Sequence, residues 1–279
     1  MATVVMIHGI WYTYASREGM HREWYQALRT GMIDAGLEPP GPAEVAAAFY
    51  GNCFRSKGTK SGGSSDDVGS LPPYQAGEVE AGFELELLQA MAASLPTGGT
   101  AKGVVGDLLR KLEVSKFLGD VPAKAVIWFV KQVHRYLTDG TLRRSVLDQV
   151  SRTVTAETRV IVAHSLGSVV AYEALCENPD WNVDTLVTLG SPLGMEAVAS
   201  RLQPPVRPGA EAVWPGTRRW VNVAAQEDPV ALLKELGPVF GKDVEDRLVG
   251  NGLRNAHSVV RYLTTRETAE AVAGACGHR

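Results

Sequence analysis

The chain alternates between short apolar runs and longer segments whose apolar residues recur at helical spacing. The continuous runs predict buried parallel strands, because both faces of such a sheet are covered. These runs lie at residues 3–7, 44–50, 159–163, 183–189 and 219–224, and residues 244–249 are a weaker strand candidate. Helical periodicity is found at residues 23–35, 75–94, 104–118, 123–137, 141–156 and 267–275. Strands that alternate with helices predict an α/β protein with a mostly parallel central sheet flanked by helices.

Residues 52–138 interrupt this alternation. Gly, Ser and Asp dominate residues 58–67, which is typical of a flexible surface loop, and several helix candidates follow. We therefore expect a single domain over residues 1–279, with residues 52–138 inserted as a loop and a helical cap or lid. Residues 125–130 are apolar nearly all round, which fits either a core helix or a lid over an acyl-binding cleft.

Composition narrows the possible classes of protein. With 45% hydrophobic and 21% charged residues, the 279-residue chain resembles a soluble globular protein. Its net charge of −3 argues against nucleic-acid binding as the main function. The three widely spaced cysteines indicate neither a disulfide framework nor a zinc site. Neither a signal segment nor an apolar run of the roughly 20 residues that a membrane span needs is found, so we expect a cytoplasmic protein.

The run at residues 159–163 ends abruptly in a turn that contains Ser165, and a helix of small and apolar residues follows. A serine on a strand-to-helix turn presents its hydroxyl outside the sheet, beside the positive end of the helix dipole. Strand and helix backbones nearly touch at such a turn, and Ala163 and Gly167 are small enough to allow this. Ser165 is thus a candidate nucleophile, the simpler interpretation being an ordinary turn serine.

The sequence Ala163-His164-Ser165-Leu166-Gly167 resembles the Gly-x-Ser-x-Gly nucleophile elbow of the α/β-hydrolase superfamily, with alanine in place of the first glycine. The resemblance covers about residues 3–11 and 158–270, and it implies the α/β-hydrolase fold. Two antiparallel strands that often come first in that superfamily are missing, so we expect a sheet trimmed at its N-terminal side.

The resemblance also implies an oxyanion hole. In α/β hydrolases a His-Gly loop after an early strand supplies one of the donors, and here His8 and Gly9 follow the first predicted strand. The expected donors are the backbone N–H groups of Ile10 and Leu166. Alternatively, Gly9 only makes a tight turn. Neither a metal nor an organic cofactor is expected.

Ser165 needs a base to take its proton and an acid to orient that base. His257 is the best candidate base, because it follows the last predicted strand on a polar loop. His164 is adjacent to the serine, so its side chain should diverge, and His8 more plausibly fixes the oxyanion loop. The remaining histidines either precede the elbow or lie in the tail, and they are His21, His134 and His278.

The acid should follow a strand that lies between the serine and the histidine in the chain. Asp228 comes soon after the strand at residues 219–224, and the order Ser, Asp, His is that of α/β hydrolases. Asp184 stands at the start of its strand, which places it at the opposite edge of a parallel sheet. Glu227, Asp243 and Asp246 remain as alternatives.

These residues together predict a serine hydrolase that cleaves a carboxylic ester with an acyl chain or a lipid-like group, through an acyl-enzyme. The same triad serves acyltransferases and thioesterases, which the sequence does not separate from esterases. A catalytically silent binding module on the same fold is a third hypothesis. The expected partner is a small-molecule or lipid-like acyl substrate, and the sequence leaves the oligomeric state open.

Overall fold

A computed structural model describes residues 2–12, 15–55, 123–207, 209–252 and 255–276, together with Phe83 and Leu87. The strands, numbered along the described chain, are β1 (Val4–Ile7), β2 (Val45–Ala48), β3 (Val160–His164), β4 (Thr185–Leu189), β5 (Arg219–Ala225) and β6 (Val244–Val249). The helices, numbered in the same way, are α1 (Arg17–Asp34), α2 (Ala123–Thr138), α3 (Gly140–Ser151), α4 (Leu166–Glu177), α5 (Glu196–Ala199), α6 (Gly237–Phe240), α7 (Val259–Leu263) and α8 (Arg266–Cys276). The 3-10 helices among the described residues are Ile10–Tyr12, Pro42–Glu44 and Gly51–Phe54.

In these ranges six strands form one sheet in the order β2-β1-β3-β4-β5-β6, and every neighbouring pair is parallel. The predicted α/β class with a parallel sheet is therefore confirmed. Val4 lies between Val45 and Val160, so β1 has β2 on one side and β3 on the other. The strand order thus reverses between β1 and β3. In open parallel sheets such a reversal leaves a crevice at the carboxyl ends of the strands, where ligands commonly bind.

The central strands β1, β3 and β4 are buried on both faces, as their continuous apolar runs predict, whereas the middle of the edge strand β6 is partly exposed. All four residues of β1 are buried, with Val4 and Met6 in one core cluster and Val5 and Ile7 in the other. The first cluster includes Trp24 from α1 and residues of α7 and α8. The second includes residues of α2, α3 and α4. Alternate side chains of a strand point to opposite faces, so the sheet lies between two helical layers.

Helix α1 begins six residues earlier than predicted, because its first turn is polar and its start is set by a cap. The hydroxyl of Ser16 accepts a hydrogen bond from the Gly19 amide at 3.0 Å, which satisfies one of the unpaired amides of the first turn. The predicted end at Gly36 is confirmed, and this glycine has a φ of +76°.

Part of the predicted insertion, residues 52–138, lies outside the described residues. This applies to the loop at 58–67 and to the helix predicted at 104–118. Of the helix predicted at 75–94, Phe83 and Leu87 are described, and both are helical and buried. The side chains of α2 are described from Phe129 onward, and those of Phe129, Val130 and Val133 belong to the core. This half of the helix is therefore a core element.

A buried carboxylate joins the helices of the second layer. Glu173 on α4 accepts hydrogen bonds from the Tyr136 hydroxyl at 2.5 Å and the Gln203 amide at 2.8 Å, and the Arg143 guanidinium lies 3.6 Å away. Burial raises the pKa of Glu173, although Arg143 and the two hydrogen bonds act in the opposite direction.

Close packing of α1 on α7 gives a stability prediction. A Cβ on Gly31 would lie 2.5 Å from the Leu263 carbonyl oxygen, so Gly31→Ala should lower the free energy of unfolding by about 1–3 kcal/mol. Gly140→Ala is the matched control, because a Cβ there would meet nothing within 4 Å. Urea unfolding should show the control unchanged or slightly more stable. Equal stability of the two variants would contradict the packing argument.

Candidate active site

The turn between β3 and α4 holds Ser165 in a backbone conformation that side chains rarely adopt. Ser165 has φ 56° and ψ −130°, and a positive φ at a residue other than glycine carries a strain of about 1–3 kcal/mol. It occupies the N-cap position, yet among the described contacts its side chain caps no amide of α4. The hydroxyl of Ser168 instead donates to the Ser165 carbonyl at 2.6 Å. The local fold thus directs the Ser165 hydroxyl away from its own helix.

Two glycines allow this turn to lie against the end of β1. A Cβ on Gly167 would lie 2.4 Å from the Ile7 carbonyl oxygen and 2.6 Å from that of His8. A Cβ on Gly9 would lie 2.8 Å from the Ser165 Cβ. Both positions therefore need glycine. Ser165 and the Gly9 turn meet at the carboxyl ends of β1 and β3, where the strand order reverses.

The structure brings Ser165, His257 and Asp228 together. Nε2 of His257 lies 2.9 Å from the Ser165 Oγ, and its Nδ1 lies 2.8 Å from the Asp228 Oδ2. A carboxylate can only accept, so Nδ1 carries the proton and Nε2 of a neutral imidazole accepts from the serine hydroxyl. Ser165 and Asp228 are fully buried, whereas the His257 side chain is 11% exposed. This arrangement suits proton transfer from the serine.

Asp228 remains ionised in the core because several donors surround it. Its Oδ1 accepts from the Val230 amide at 2.8 Å and the Ala231 amide at 3.4 Å, and its Oδ2 also accepts from the Tyr262 hydroxyl at 2.6 Å. Burial by itself would raise the pKa of Asp228. His257 and the hydrogen bonds outweigh burial and hold that pKa well below its ordinary value.

The loop that carries His257 is fixed through its backbone. Nε2 of His164 donates to the His257 carbonyl at 2.9 Å, so the His164 side chain diverges from Ser165 as expected. Burial, and then the neighbouring His257, lower the pKa of His164 well below its usual value, which keeps this imidazole neutral. The Asn251 side chain donates to the Ala256 carbonyl at 2.8 Å, and the Asn251 amide donates to the Glu227 carboxylate at 3.3 Å.

His8 holds the turn after β1. Its Nε2 accepts from the Tyr50 amide at 3.1 Å, so Nδ1 carries the proton and donates to the Gly9 carbonyl. Burial lowers the pKa of His8 to about 4. Ile10 begins a 3-10 helix directly after this turn, and Leu166 begins α4. Their backbone amides therefore lie on the two segments that meet at Ser165, while their role as oxyanion donors stays a prediction.

Other residues considered from the sequence lie elsewhere or have other partners. Asp184 is 3.3 Å from the Arg218 guanidinium and 3.8 Å from that of Arg159, at the amino ends of the strands. Asp246 accepts from the amides of Leu236 and Gly237 at 2.8 and 2.9 Å. Among the remaining histidines, His21 is hydrogen-bonded to the Val45 carbonyl and the His134 ring packs against the Phe83 ring. His278 lies outside the described residues.

Sequence reasoning missed Tyr262, Gly190 and the pair Ser168 and Ser191, whose hydroxyls are 2.7 Å apart. No periodicity or spacing marks these residues, because their contacts join distant parts of the chain. The bond from the Val230 amide to Asp228 is a local contact. An Asp side chain often accepts from the backbone amide two residues later, and this forms a common type of turn. That signal is readable in the sequence.

Comparison with protein-family models, curated proteins and solved structures finds no match for this chain. Within the described ranges, every helix is too short or too polar to cross a membrane. The side chains described in the structure also contain no group of three or more His, Cys, Asp or Glu that could hold a metal ion.

The buried histidines predict how stability depends on pH. The unfolded chain protonates each imidazole below about pH 6.5, whereas His8 stays neutral down to about 4 in the folded protein. The unfolded state therefore binds more protons in this window, so the free energy of unfolding falls as the pH is lowered. His8 alone should contribute about 3 kcal/mol of this loss.

Urea unfolding at several pH values would measure this slope for the native chain, His8→Gln and the half-buried control His21→Gln. The slope between about pH 4 and 6.5 should be smaller in His8→Gln than in the other two. An unchanged slope in His8→Gln would contradict the buried neutral state of His8.

Proposed function

We propose that this protein is a serine hydrolase of the α/β-hydrolase superfamily that cleaves a carboxylic ester through an acyl-enzyme. One observation carries the proposal, namely the continuous hydrogen-bonded series from the Ser165 Oγ through His257 to Asp228, at 2.9 and 2.8 Å. Its location at the reversal of the strand order supports the proposal. The strained backbone of Ser165 supports it too, because such strain is common at functional sites.

The proposed reaction follows from the positions of the protons. His257 Nε2 takes the hydroxyl proton as the Ser165 Oγ attacks the carbonyl carbon of the ester, and a tetrahedral intermediate forms. Asp228, ionised and hydrogen-bonded to Nδ1, stabilises the imidazolium and keeps its orientation. His257 then returns the proton to the leaving alcohol. A water molecule, activated in the same way, releases the acid from the acyl-enzyme.

The negative oxygen of the tetrahedral intermediate needs donors in front of the serine. We assign the amides of Ile10 and Leu166 to this role, and each such donor contributes about 3–4 kcal/mol to the stabilisation of a transition state. Two features favour the assignment. Leu166 is the first residue of the 12-residue helix α4, whose dipole is positive at this end. The turn before Ile10 is fixed by His8, which stays neutral over the physiological pH range.

An acyl-enzyme is also the intermediate of acyltransferases and thioesterases, which differ from esterases in the acceptor or in the leaving group. We propose an ester with an acyl chain as substrate, as the simplest member of this group. Product analysis with added alcohols or thiols distinguishes acyl transfer from hydrolysis. Parallel assays of an oxygen ester and the corresponding thioester distinguish the leaving groups.

The first test is labelling with a fluorophosphonate probe, which reacts with activated serines. The native chain should be labelled, and both Ser165→Ala and His257→Ala should lose the label. Ser145→Ala and His21→Ala are the controls and should keep it, because Ser145 bonds the Thr141 carbonyl and His21 bonds that of Val45. A folded native chain that is not labelled, or Ser165→Ala labelled as fast as the native chain, would favour a silent binding module.

The second test concerns the acid. Asp228→Asn removes the acceptor that fixes the tautomer of His257, and we expect the rate of 4-nitrophenyl butyrate hydrolysis to fall by about 1000-fold or more. Asp184→Asn removes a carboxylate from the opposite edge of the sheet and should leave the rate within about twofold. Similar losses in both variants would show that Asp228 has no specific part in the reaction.

A further inference from the structure

Asp228 Oδ2 accepts two hydrogen bonds, and only one of them belongs to the proposed triad. The Tyr262 hydroxyl lies 2.6 Å from this oxygen, and Nδ1 of His257 lies 2.8 Å from it. The Ala225 amide donates to the Tyr262 oxygen at 2.9 Å. The Tyr262 oxygen thus accepts a hydrogen bond from the end of β5. This bond orients the hydroxyl proton of Tyr262 towards Asp228. Tyr262 therefore joins β5, the turn after it and helix α7.

Gly190 allows these groups to converge. It has a φ of +55°, and a Cβ there would lie 2.7 Å from the Asp228 Oδ2, 2.9 Å from the Tyr262 Cε2 and 3.1 Å from the His257 Nδ1. The turn after β4 thus packs directly on the shared oxygen. Such packing leaves the carboxylate little freedom to rotate away from either donor.

We propose that Tyr262 is a positioning residue, which fixes the Asp228 carboxylate and tunes the basicity of His257. The inference rests on the proposed function for its catalytic meaning, since Tyr262 acts on the serine only through Asp228 and His257. The hydrogen-bonded series is then four residues long, from Ser165 to Tyr262.

The direction of the effect follows from charge. A hydroxyl that donates to Oδ2 withdraws part of the negative charge that the protonated imidazole would otherwise face. Without this donor, Asp228 attracts the imidazolium more strongly, so His257 should lose its proton at a higher pH. The carboxylate also loses one of the contacts that hold its plane, so the serine should react more slowly.

The native chain and Tyr262→Phe contain the same other titratable groups near His257. The His164 ring lies 4.5 Å from the His257 ring, centroid to centroid, and the Lys234 ammonium donates to the Asp228 carbonyl at 2.6 Å. Burial, and then Asp228, raise the pKa of Tyr262 well above its usual value, so it remains a donor throughout the working range. Among the described residues, further titratable groups around this network are Glu227, His8 and Arg261.

The chain offers a matched control for removing a buried tyrosine hydroxyl. Tyr136 is fully buried, as Tyr262 is, and its hydroxyl donates to the Glu173 carboxylate at 2.5 Å. Tyr136→Phe deletes the same chemical group from the same kind of bond. A loss of stability common to both variants therefore does not count as evidence for a role in the site.

The experiment compares the native chain, Tyr262→Phe and Tyr136→Phe. Carbon-13 labelling of the histidine Cε1 atoms follows the titration of each imidazole by NMR, and His257→Gln identifies the signal of interest. We expect the midpoint of His257 to rise by about 0.5–1 pH unit in Tyr262→Phe. At pH values above the His257 midpoint, the rate at which the fluorophosphonate labels Tyr262→Phe should be about 3–10-fold lower than that of the native chain. Tyr136→Phe should change neither quantity.

An unchanged His257 midpoint in folded Tyr262→Phe overturns the inference, and so does an equal shift in Tyr136→Phe. If Tyr262→Phe does not fold, the native chain still provides a test, because the Tyr262 hydroxyl proton should shift as His257 titrates. Independence of these two signals again overturns the inference. If the native chain is not labelled while the midpoint shift is present, the proposed hydrolase function fails and the coupling of Tyr262 to His257 stands.

Discussion

The candidate site depends on close packing between the backbone at the start of α4 and the backbone at the end of β1. At Gly167 a single methyl group would lie 2.4 Å from a carbonyl oxygen of β1, so the helix can start there only without a side chain. This contact brings the turn after β1 against Ser165. The space between Gly9 and Ser165 is also too small for a Cβ on Gly9. The strained φ of Ser165 is retained because the strand before it and the helix after it are both packed in the core. Ser165 and the turn after β1 are thus brought together by the packing of the sheet.

Two buried carboxylates show how burial, neighbouring charges and hydrogen bonds shift a pKa in opposite directions in this core. Asp228 accepts from the imidazole of His257, the hydroxyl of Tyr262 and two backbone amides, and its pKa is lowered despite burial. Glu173 accepts from one hydroxyl and one amide, its arginine lies 3.6 Å away, and its pKa is raised. A buried charge is costly unless donors surround it. The donors that keep Asp228 ionised come from the turn after β5, from α7 and from the loop before α7, so ionisation and positioning of the acid have the same structural cause.

The sequence was most informative where chemistry and periodicity are local. Continuous apolar runs predict β1 to β5, whereas β6 has charged residues in its middle and is the weaker prediction, although its predicted bounds match the structure. The order of Ser165, Asp228 and His257, each after a predicted strand, was enough to expect them at one edge, because parallel strands share their carboxyl ends. Features that depend on distant contacts could not be read in this way. Helix α1 starts at a polar turn, where apolar spacing gives no signal. The last residues predicted for β2 lie outside the strand and lead into a 3-10 helix. The role of Tyr262 depends on the packing of α7 beside Asp228, which the sequence does not show.

The unusual cap of α4 bears on the choice between a nucleophile and an ordinary turn serine. A serine at an N-cap normally accepts from an amide of the first turn, which stabilises the helix by about 1 kcal/mol. At Ser165 no such bond is among the described contacts, and Ser168 donates to its carbonyl instead. The amides at the start of α4 thus lack their usual side-chain acceptor, at an end where the helix dipole favours negative charge. A turn selected only for stability would use the serine as a cap. The loss of that bond, together with the 2.9 Å contact to His257, favours a hydroxyl held for reaction.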